Sequence, residues 1–243
     1  MRRALVVGLC VLASCGGDDQ PRLVVSAASS MSEALSSCSR SFGGADVRLS
    51  FAGSDELAAQ IRQGVKPDVY AAANTTLPEE LHADGLLSTP VEFATNVLVI
   101  AVPAGSDVRE TADLRREGMK LAIGSESVPI GTYTRELLDR LPGEEGELIL
   151  DNVRSNEPDV KGIVGKLTQG AADAGFVYAT DVTAARDELE AIPLPPAVRP
   201  EVTYAAGVVR GAAQPDLARD FVDGLRDGDC AGALRQAGFG GPP

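Results

Sequence analysis

The sequence predicts an α/β protein built as two lobes, each a mainly parallel sheet flanked by helices. Two observations predict it. From residue 22 onward short apolar strands alternate with amphipathic helices, and that alternation comes in two successive sets. The chain of 243 residues, 44% hydrophobic and 23% charged, is long enough to bury a sizeable core and far from the composition of a disordered chain.

The first set opens with Leu23-Val24-Val25-Ser26-Ala27-Ala28, an apolar run of strand length. Met31, Ala34, Leu35, Cys38 and Phe42 then recur at helical spacing and mark one face of a helix. Val47 to Phe51 alternates as a strand, Leu57, Ala58 and Ile61 mark a second helix, and Asp68 to Ala73 is a third strand before a helix near Leu77 to Ala83. A β-α-β-α-β order of this kind implies parallel strands with helices on both faces. The second set begins with the run Asn96 to Val102, closed by Pro103. Leu121 to Gly124 reads as a strand, Thr132 to Leu141 as a helix, and Val160, Ile163, Val164 and Leu167 as another helical face behind Pro158. Ala174 to Tyr178 is a buried strand, and a proline-rich link, Ile192 to Pro200, leads to a strand from Val202 to Val209. A last helix opens at Pro215 and buries Leu217, Ala218, Phe221, Val222 and Leu225. The expected division is lobe I, 22–95 plus 203–243, and lobe II, 96–202, joined by extended crossovers.

The amino terminus is read apart from the fold. Met1-Arg2-Arg3 precedes an apolar run, Ala4 to Ala13, too short to span a bilayer and suited to a signal peptide over 1–14. Leu12-Ala13-Ser14-Cys15 resembles the lipobox of bacterial lipoproteins, in which cleavage precedes the cysteine and its sulfur receives a diacylglycerol. Residues 15–21 are then a lipidated, polar tether, and the mature chain is expected at the cell membrane, on its extracytoplasmic side. Cys10 leaves with the signal, so Cys38 and Cys230 remain in the folded part. They could pair as a disulfide in an oxidising compartment, or be two small buried residues.

Charge narrows the partners. With 35 acidic against 22 basic side chains the formal net charge is −13, which argues against a nucleic-acid partner. The single histidine, His82, leaves no histidine-rich metal site, and it falls in a polar helical stretch that reads as solvated surface. No G-x-S-x-G elbow is present, so a serine hydrolase using Ser30 or Ser54 finds no support and no enzyme is expected.

Several strands end in small polar residues where a helix starts. Ser29-Ser30 follows the first strand, Gly53-Ser54 the second, and Ser127-Val128-Pro129-Ile130-Gly131 precedes the Thr132 helix. Each alone is an N-cap signal. Recurring at successive strand ends, they gather unpaired N–H donors and the positive ends of helix dipoles, which makes an anion site that needs no lysine or arginine.

These motifs are also familiar. Ser26-Ala27-Ala28-Ser29-Ser30-Met31-Ser32-Glu33-Ala34-Leu35 resembles the A-A-S-S-L-T-[DE]-A-L opening of the periplasmic molybdate-binding proteins of ABC transporters. Phe51-Ala52-Gly53-Ser54 with Leu57 and Gln60-Ile61 resembles that family's F-A-S-S-x-x-L-A-x-Q-I, and Pro67 to Ala73 its P-A-D-V-F-I-S-A strand. Asn96-Val97-Leu98-Val99, Leu121-Ala122-Ile123-Gly124 with Val128-Pro129-Ile130-Gly131-Thr132-Tyr133, and Ala172 to Asp181 are similar to N-x-L-V, L-A-I-G…V-P-A-G-x-Y and A-D-A-G-I-V-Y-x-T-D. The resemblance runs from about Leu23 to Phe239. It implies the two-lobed periplasmic-binding-protein (Venus flytrap) fold, and a monomer that captures molybdate or tungstate for an ABC permease. It also implies an oxyanion held by the hydroxyls of Ser30 and Ser54, the backbone N–H groups of Ile130 and Val160, and the phenol of Tyr178, with no cofactor and no metal bound other than through that ligand. Ile130 stands where the family usually has alanine, and Asp55, Glu56 and Asp159 bring acidic groups near the site, with Asp55 and Glu56 expected to point to solvent. Other outcomes consistent with these features are a binder of another tetrahedral oxyanion such as sulfate, and a sensor lipoprotein that feeds no transporter.

Overall fold

The computed structural model describes residues 20–243. The signal peptide, Cys15 and all but the last two residues of the tether lie outside the described residues.

Two five-stranded sheets carry the structure. In the first, β1 (Arg22–Ala28) pairs in parallel with β2 (Asp46–Ala52) on one side and β3 (Val69–Ala72) on the other. The second repeats this parallel trio with β6 (Leu121–Gly124) between β7 (Val153–Glu157) and β8 (Ala174–Tyr178). Each trio is extended by two antiparallel strands. They are β10 (Val202–Val208) and β4 (Val91–Asn96) in the first sheet, β5 (Leu98–Pro103) and β9 (Leu189–Pro193) in the second. The sheets are therefore mixed, with a parallel core. Every residue of β3, β6 and β8 is buried, as expected of strands covered on both faces.

The chain passes between the sheets twice. A single residue, Val97, separates β4 from β5, and residues 194–201 lead from β9 to β10. The run Asn96 to Val102 that reads as one strand thus begins at the end of one sheet and continues in the other.

The helices follow their apolar faces. In lobe I, α1 (Ser32–Ser41) buries Ala34, Leu35 and Cys38, and α2 (Ser54–Arg62) buries Leu57, Ala58 and Ile61. Next come α3 (Thr76–Ala83) and, in lobe II, α4 (Pro129–Asp139), which starts three residues before the expected Thr132 because Pro129 suits the first helical position. The acidic segment Glu144 to Glu147 enters α5 (Glu145–Leu150). Then follow α6 (Val160–Thr168) and the short α7 (Ala179–Ala184). The chain closes with α8 (Pro215–Asp227), which buries Ala218, Phe221, Val222 and Leu225, and α9 (Asp229–Gln236).

Cys38 of α1 and Cys230 of α9 are joined by a disulfide with their Cα atoms 4.7 Å apart, an ordinary spacing for such a bond. It ties the last helix to the first.

Candidate functional site

All six parallel strands send their carboxyl ends to one place, the interface between the lobes, where ligands of open α/β sheets bind. There β1 runs into Ser29 and Ser30, β2 into Gly53 and Ser54, and β3 into Ala73. From the other lobe, β6 leads to Val128, Pro129 and Ile130, β7 to Asp159 and Val160, and β8 ends in Tyr178. Together these residues line a small cavity. Ser30, Ser54, Ile130, Val160 and Tyr178, five positions spread over 149 residues of sequence, are brought together on its wall.

The local chemistry is that of a donor set. Ser54 opens α2, Ile130 sits in the first turn of α4 and Val160 opens α6, so each contributes an N–H from the turn whose amides have no carbonyl four residues back. The Ser54 Oγ accepts the Ala73 N–H at 3.1 Å, which leaves its own proton to give. The Ser30 Oγ is 3.0 Å from the Tyr204 Oη. The Tyr178 hydroxyl is buried and has no hydrogen-bond partner among the described residues. Burial, with Tyr204, Tyr133 and Asp181 adding to it, pushes the Tyr178 phenol well above its usual pKa, so it stays protonated.

Acidic neighbours are managed individually. Asp159 caps its own helix, accepting the Gly162 N–H at 3.0 Å. Glu56 is exposed, as expected. Asp55 is half-buried instead, because Ser127 of the opposite lobe donates its hydroxyl to the Asp55 carboxylate.

That bond is one of several that cross the cleft. Lys161 of α6 reaches Glu33 of α1 at 2.9 Å and also pairs with buried Asp181 at 3.1 Å. Burial alone would lower the Lys161 ammonium, but the Asp181 and Glu33 carboxylates outweigh it and hold its pKa above the usual value. Burial likewise pushes Asp181 up to about 6, against the pull of Lys161. Asn96, at the end of β4, donates to Thr180 of α7 at 2.9 Å. The lobes also meet backbone to backbone: a methyl group on Gly53 would sit 2.5 Å from the Pro158 carbonyl oxygen. The cleft is closed.

His82 lies on α3, its ring Nδ1 3.1 Å from the Leu87 carbonyl, and takes no part in the cavity wall. The structure adds residues that spacing did not mark: Tyr204, Asn96, Lys161 and Glu33 at or behind the site. No described helix is long and apolar enough to cross a membrane.

A pair of lobes closed on a small cavity of helix N-termini and hydroxyls defines a solute-capturing protein. The chain belongs to the family described as bacterial extracellular solute-binding protein, whose pattern matches residues 23–240. It is 35% identical over 227 residues to the molybdate-binding protein ModA of Mycobacterium tuberculosis H37Rv, covering 90% of this chain and 85% of that one. Among solved structures it is similar to the substrate binding domain of a putative molybdenum ABC transporter from Clostridium difficile, with 26% identity, a TM-score of 0.68, and coverage of 90% of this chain and 98% of that one. It also shares its fold with the periplasmic molybdate-binding protein of Azotobacter vinelandii, at 22% identity and a TM-score of 0.79, over 91% of this chain and 100% of that one.

Proposed function

We propose that this protein captures molybdate or tungstate between its lobes and hands it to an ABC permease. The observation that carries the reading is the Tyr178 hydroxyl, buried without a partner beside helix N-termini and two serines. A buried, unmade hydrogen bond costs about 1–3 kcal/mol, so this group is held ready for an acceptor. Molybdate and tungstate are fully deprotonated tetrahedral dianions near neutral pH, compact and acceptor-only. In this reading Ser30, Ser54 and Tyr178 give hydroxyl protons, and Ile130 and Val160 give N–H groups. The lobes, expected as 22–95 with 203–243 and 96–202 and here with Asn96 and Val202 kept by the first sheet, hinge on the two crossings and close over the ligand. The similarity to the molybdate-binding protein of Mycobacterium tuberculosis and to the substrate binding domain of the putative molybdenum transporter of Clostridium difficile supports the same ligand class.

The lipobox-like Leu12-Ala13-Ser14-Cys15 supports a mature protein held through Cys15 on the outer side of the membrane, and in this reading it works there as a monomer within reach of the permease. A Cys15→Ser variant released from the membrane fraction supports that anchor; one that stays bound overturns it.

Titration calorimetry on the protein with molybdate, tungstate and sulfate tests the ligand. Tight binding of the first two, undisturbed by excess sulfate, is the expected result, and Ser30→Ala should weaken it by about 1–3 kcal/mol. No heat with either metal oxyanion overturns the reading, and displacement of molybdate by sulfate replaces it with a sulfate binder.

A further inference from the structure

Behind Ser30 runs a buried chain of hydrogen bonds that reaches both passages between the lobes. Asn96 ends β4, Tyr204 lies on β10, and the two strands pair with Val202 opposite Asn96. Asn96, Tyr204, Ser30 and Thr180 are all at least nine-tenths buried. The direction of each bond follows from which atoms can donate. The Val97 N–H donates to the Asn96 Oδ1 at 2.8 Å, which fixes the amide's orientation and turns its NH2 the other way. That NH2 has two protons and no acceptor capacity. One proton goes to the Thr180 Oγ1 at 2.9 Å and the other, at a longer 3.4 Å, to the Tyr204 Oη. Tyr204 therefore accepts from Asn96 and has a single proton to give, and its remaining partner is the Ser30 Oγ at 3.0 Å. Ser30 receives that proton, so its own must point elsewhere, to the cavity it lines. Burial holds the Tyr204 phenol far above its usual pKa, so the chain does not break by ionisation.

We infer that Asn96 and Tyr204 are specificity-determining positioning residues: they orient the Ser30 hydroxyl as a donor and thereby set the site against protonated oxyanions. The inference rests on the oxyanion reading above. A hydrogenphosphate or hydrogenarsenate ion brings an O–H that needs an acceptor in a closed cavity. If that O–H is given to the one lone pair Ser30 has left, the hydroxyl must turn to receive it and its own proton loses the ligand oxygen it served, and Tyr204, already committed as donor, cannot accept that proton instead. A deprotonated dianion meets no such conflict. Ser54 is oriented in the same sense by the Ala73 N–H, a backbone donor that no side-chain substitution reverses. The side-chain chain to Ser30 is the part of the selectivity that sequence can change.

Asn96→Asp tests this by reversing the chain. A carboxylate at position 96 accepts from Tyr204, Tyr204 then accepts from Ser30, and the Ser30 lone pairs face the ligand. Binding of molybdate and of inorganic phosphate is measured by calorimetry in mildly alkaline buffer, where phosphate is the hydrogenphosphate dianion. Both ligands then carry the same charge, so repulsion by the new carboxylate weakens both alike and cancels in the ratio. The expected result is that the molybdate-to-phosphate affinity ratio falls at least about tenfold, a difference of about 1.4 kcal/mol. The change should vanish in Asn96→Asp/Tyr204→Phe, which lacks the relay hydroxyl. An unchanged ratio, or the same change without the Tyr204 hydroxyl, overturns the inference. Should Asn96→Asp fail to fold, Tyr204→Phe and Ser30→Ala are combined and molybdate affinity is read. A loss of about three- to tenfold on Tyr204→Phe that disappears in the Ser30→Ala background supports the relay, and losses that multiply refute it. Failure of the unaltered protein to bind molybdate or tungstate at all is a different outcome: it removes the oxyanion reading itself.

Discussion

Gly53→Ala separates folding from closure. Gly53 has φ −60° and ψ 141°, a conformation any residue adopts, so alanine costs the isolated lobe nothing in backbone strain. The backbone obstacle lies in the other lobe. The new methyl would stand 2.5 Å from the Pro158 carbonyl oxygen and 3.5 Å from the Val128 Cγ2, while the Asp55 Oδ1 of its own lobe, 2.8 Å away, is the end of a side chain that can turn aside. A carbon and a carbonyl oxygen settle at about 3.3–3.6 Å, so the lobes must part by about 1 Å at this point. Hydrogen bonds to a ligand gripped from both sides tolerate little of that, because N–H···O bonds span only about 2.7–3.2 Å. Losing even one bond to a charged acceptor costs about 1.5–3 kcal/mol, or roughly ten- to 150-fold in affinity. The assay is calorimetry with molybdate, paired with thermal unfolding of the unliganded protein. The expected result is weakened binding with an unfolding midpoint close to that of the unaltered chain. Binding within twofold of the unaltered protein would refute the view that this contact belongs to the ligand-gripping state.

Three further outcomes are expected. Tyr178→Phe should move two measurements in opposite directions: the unliganded protein gains about 1–3 kcal/mol in thermal stability as an unmade hydrogen bond disappears, while molybdate binding weakens about tenfold or more. Asp181 links stability to pH. Its carboxyl rises from 3.8 in the unfolded chain to about 6 in the fold, so between those values the folded state keeps a proton that the unfolded state has lost. Stability drawn from that proton is present below about pH 4, falls as pH rises towards 6 and stays lost above it, and Asp181→Asn should flatten that slope in a series of unfolding curves. Reduction of the Cys38–Cys230 bond, which spans 192 residues of sequence, should lower the unfolding midpoint by on the order of 10 °C, for a loss of about 2–4 kcal/mol. Molybdate affinity should be unaltered, since neither cysteine lines the cavity.

What the sequence reveals tracks burial. Strands covered on both faces, such as β3, β6 and β8, read as apolar runs because every position meets a hydrophobic neighbour. By contrast, β7 is half-exposed, and Arg154, Ser155, Asn156 and Glu157 offer no apolar alternation, so only its pairing with β6 makes it a strand. The break at Val97 is silent for another reason. The run from Val97 onward is continuously apolar, and nothing local distinguishes a strand that continues from one that changes sheet. The cavity residues are legible because each follows a strand and opens or caps a helix, a local event with a local signature. Asn96 and Tyr204 are not, because their bond joins residues 108 apart and exists only once β10 pairs with β4. Asp55 misleads for the same reason, since a carboxylate in a first helical turn reads as solvated until Ser127 arrives from the opposite lobe.

The acidity of the chain and the anionic character of the proposed ligand are reconciled by distance. A net charge of −13 acts at long range, where salt screens it within about 10 Å. Within the cleft the acidic groups are already engaged: Asp159 with the Gly162 N–H, Asp55 with Ser127, Glu33 and Asp181 with Lys161. Lys161 is thus balanced by carboxylates. What remains facing the cavity is neutral, namely hydroxyls and amide N–H groups with the positive ends of helices behind them. Neutral donors also explain why release is attainable. A lysine or arginine brought into a closed cavity would hold a dianion by direct charge pairing, whereas dipoles let go once the lobes part and water returns. A cleft shut by a few polar bridges and one tight glycine contact suits a protein that must grip its ligand and then give it up.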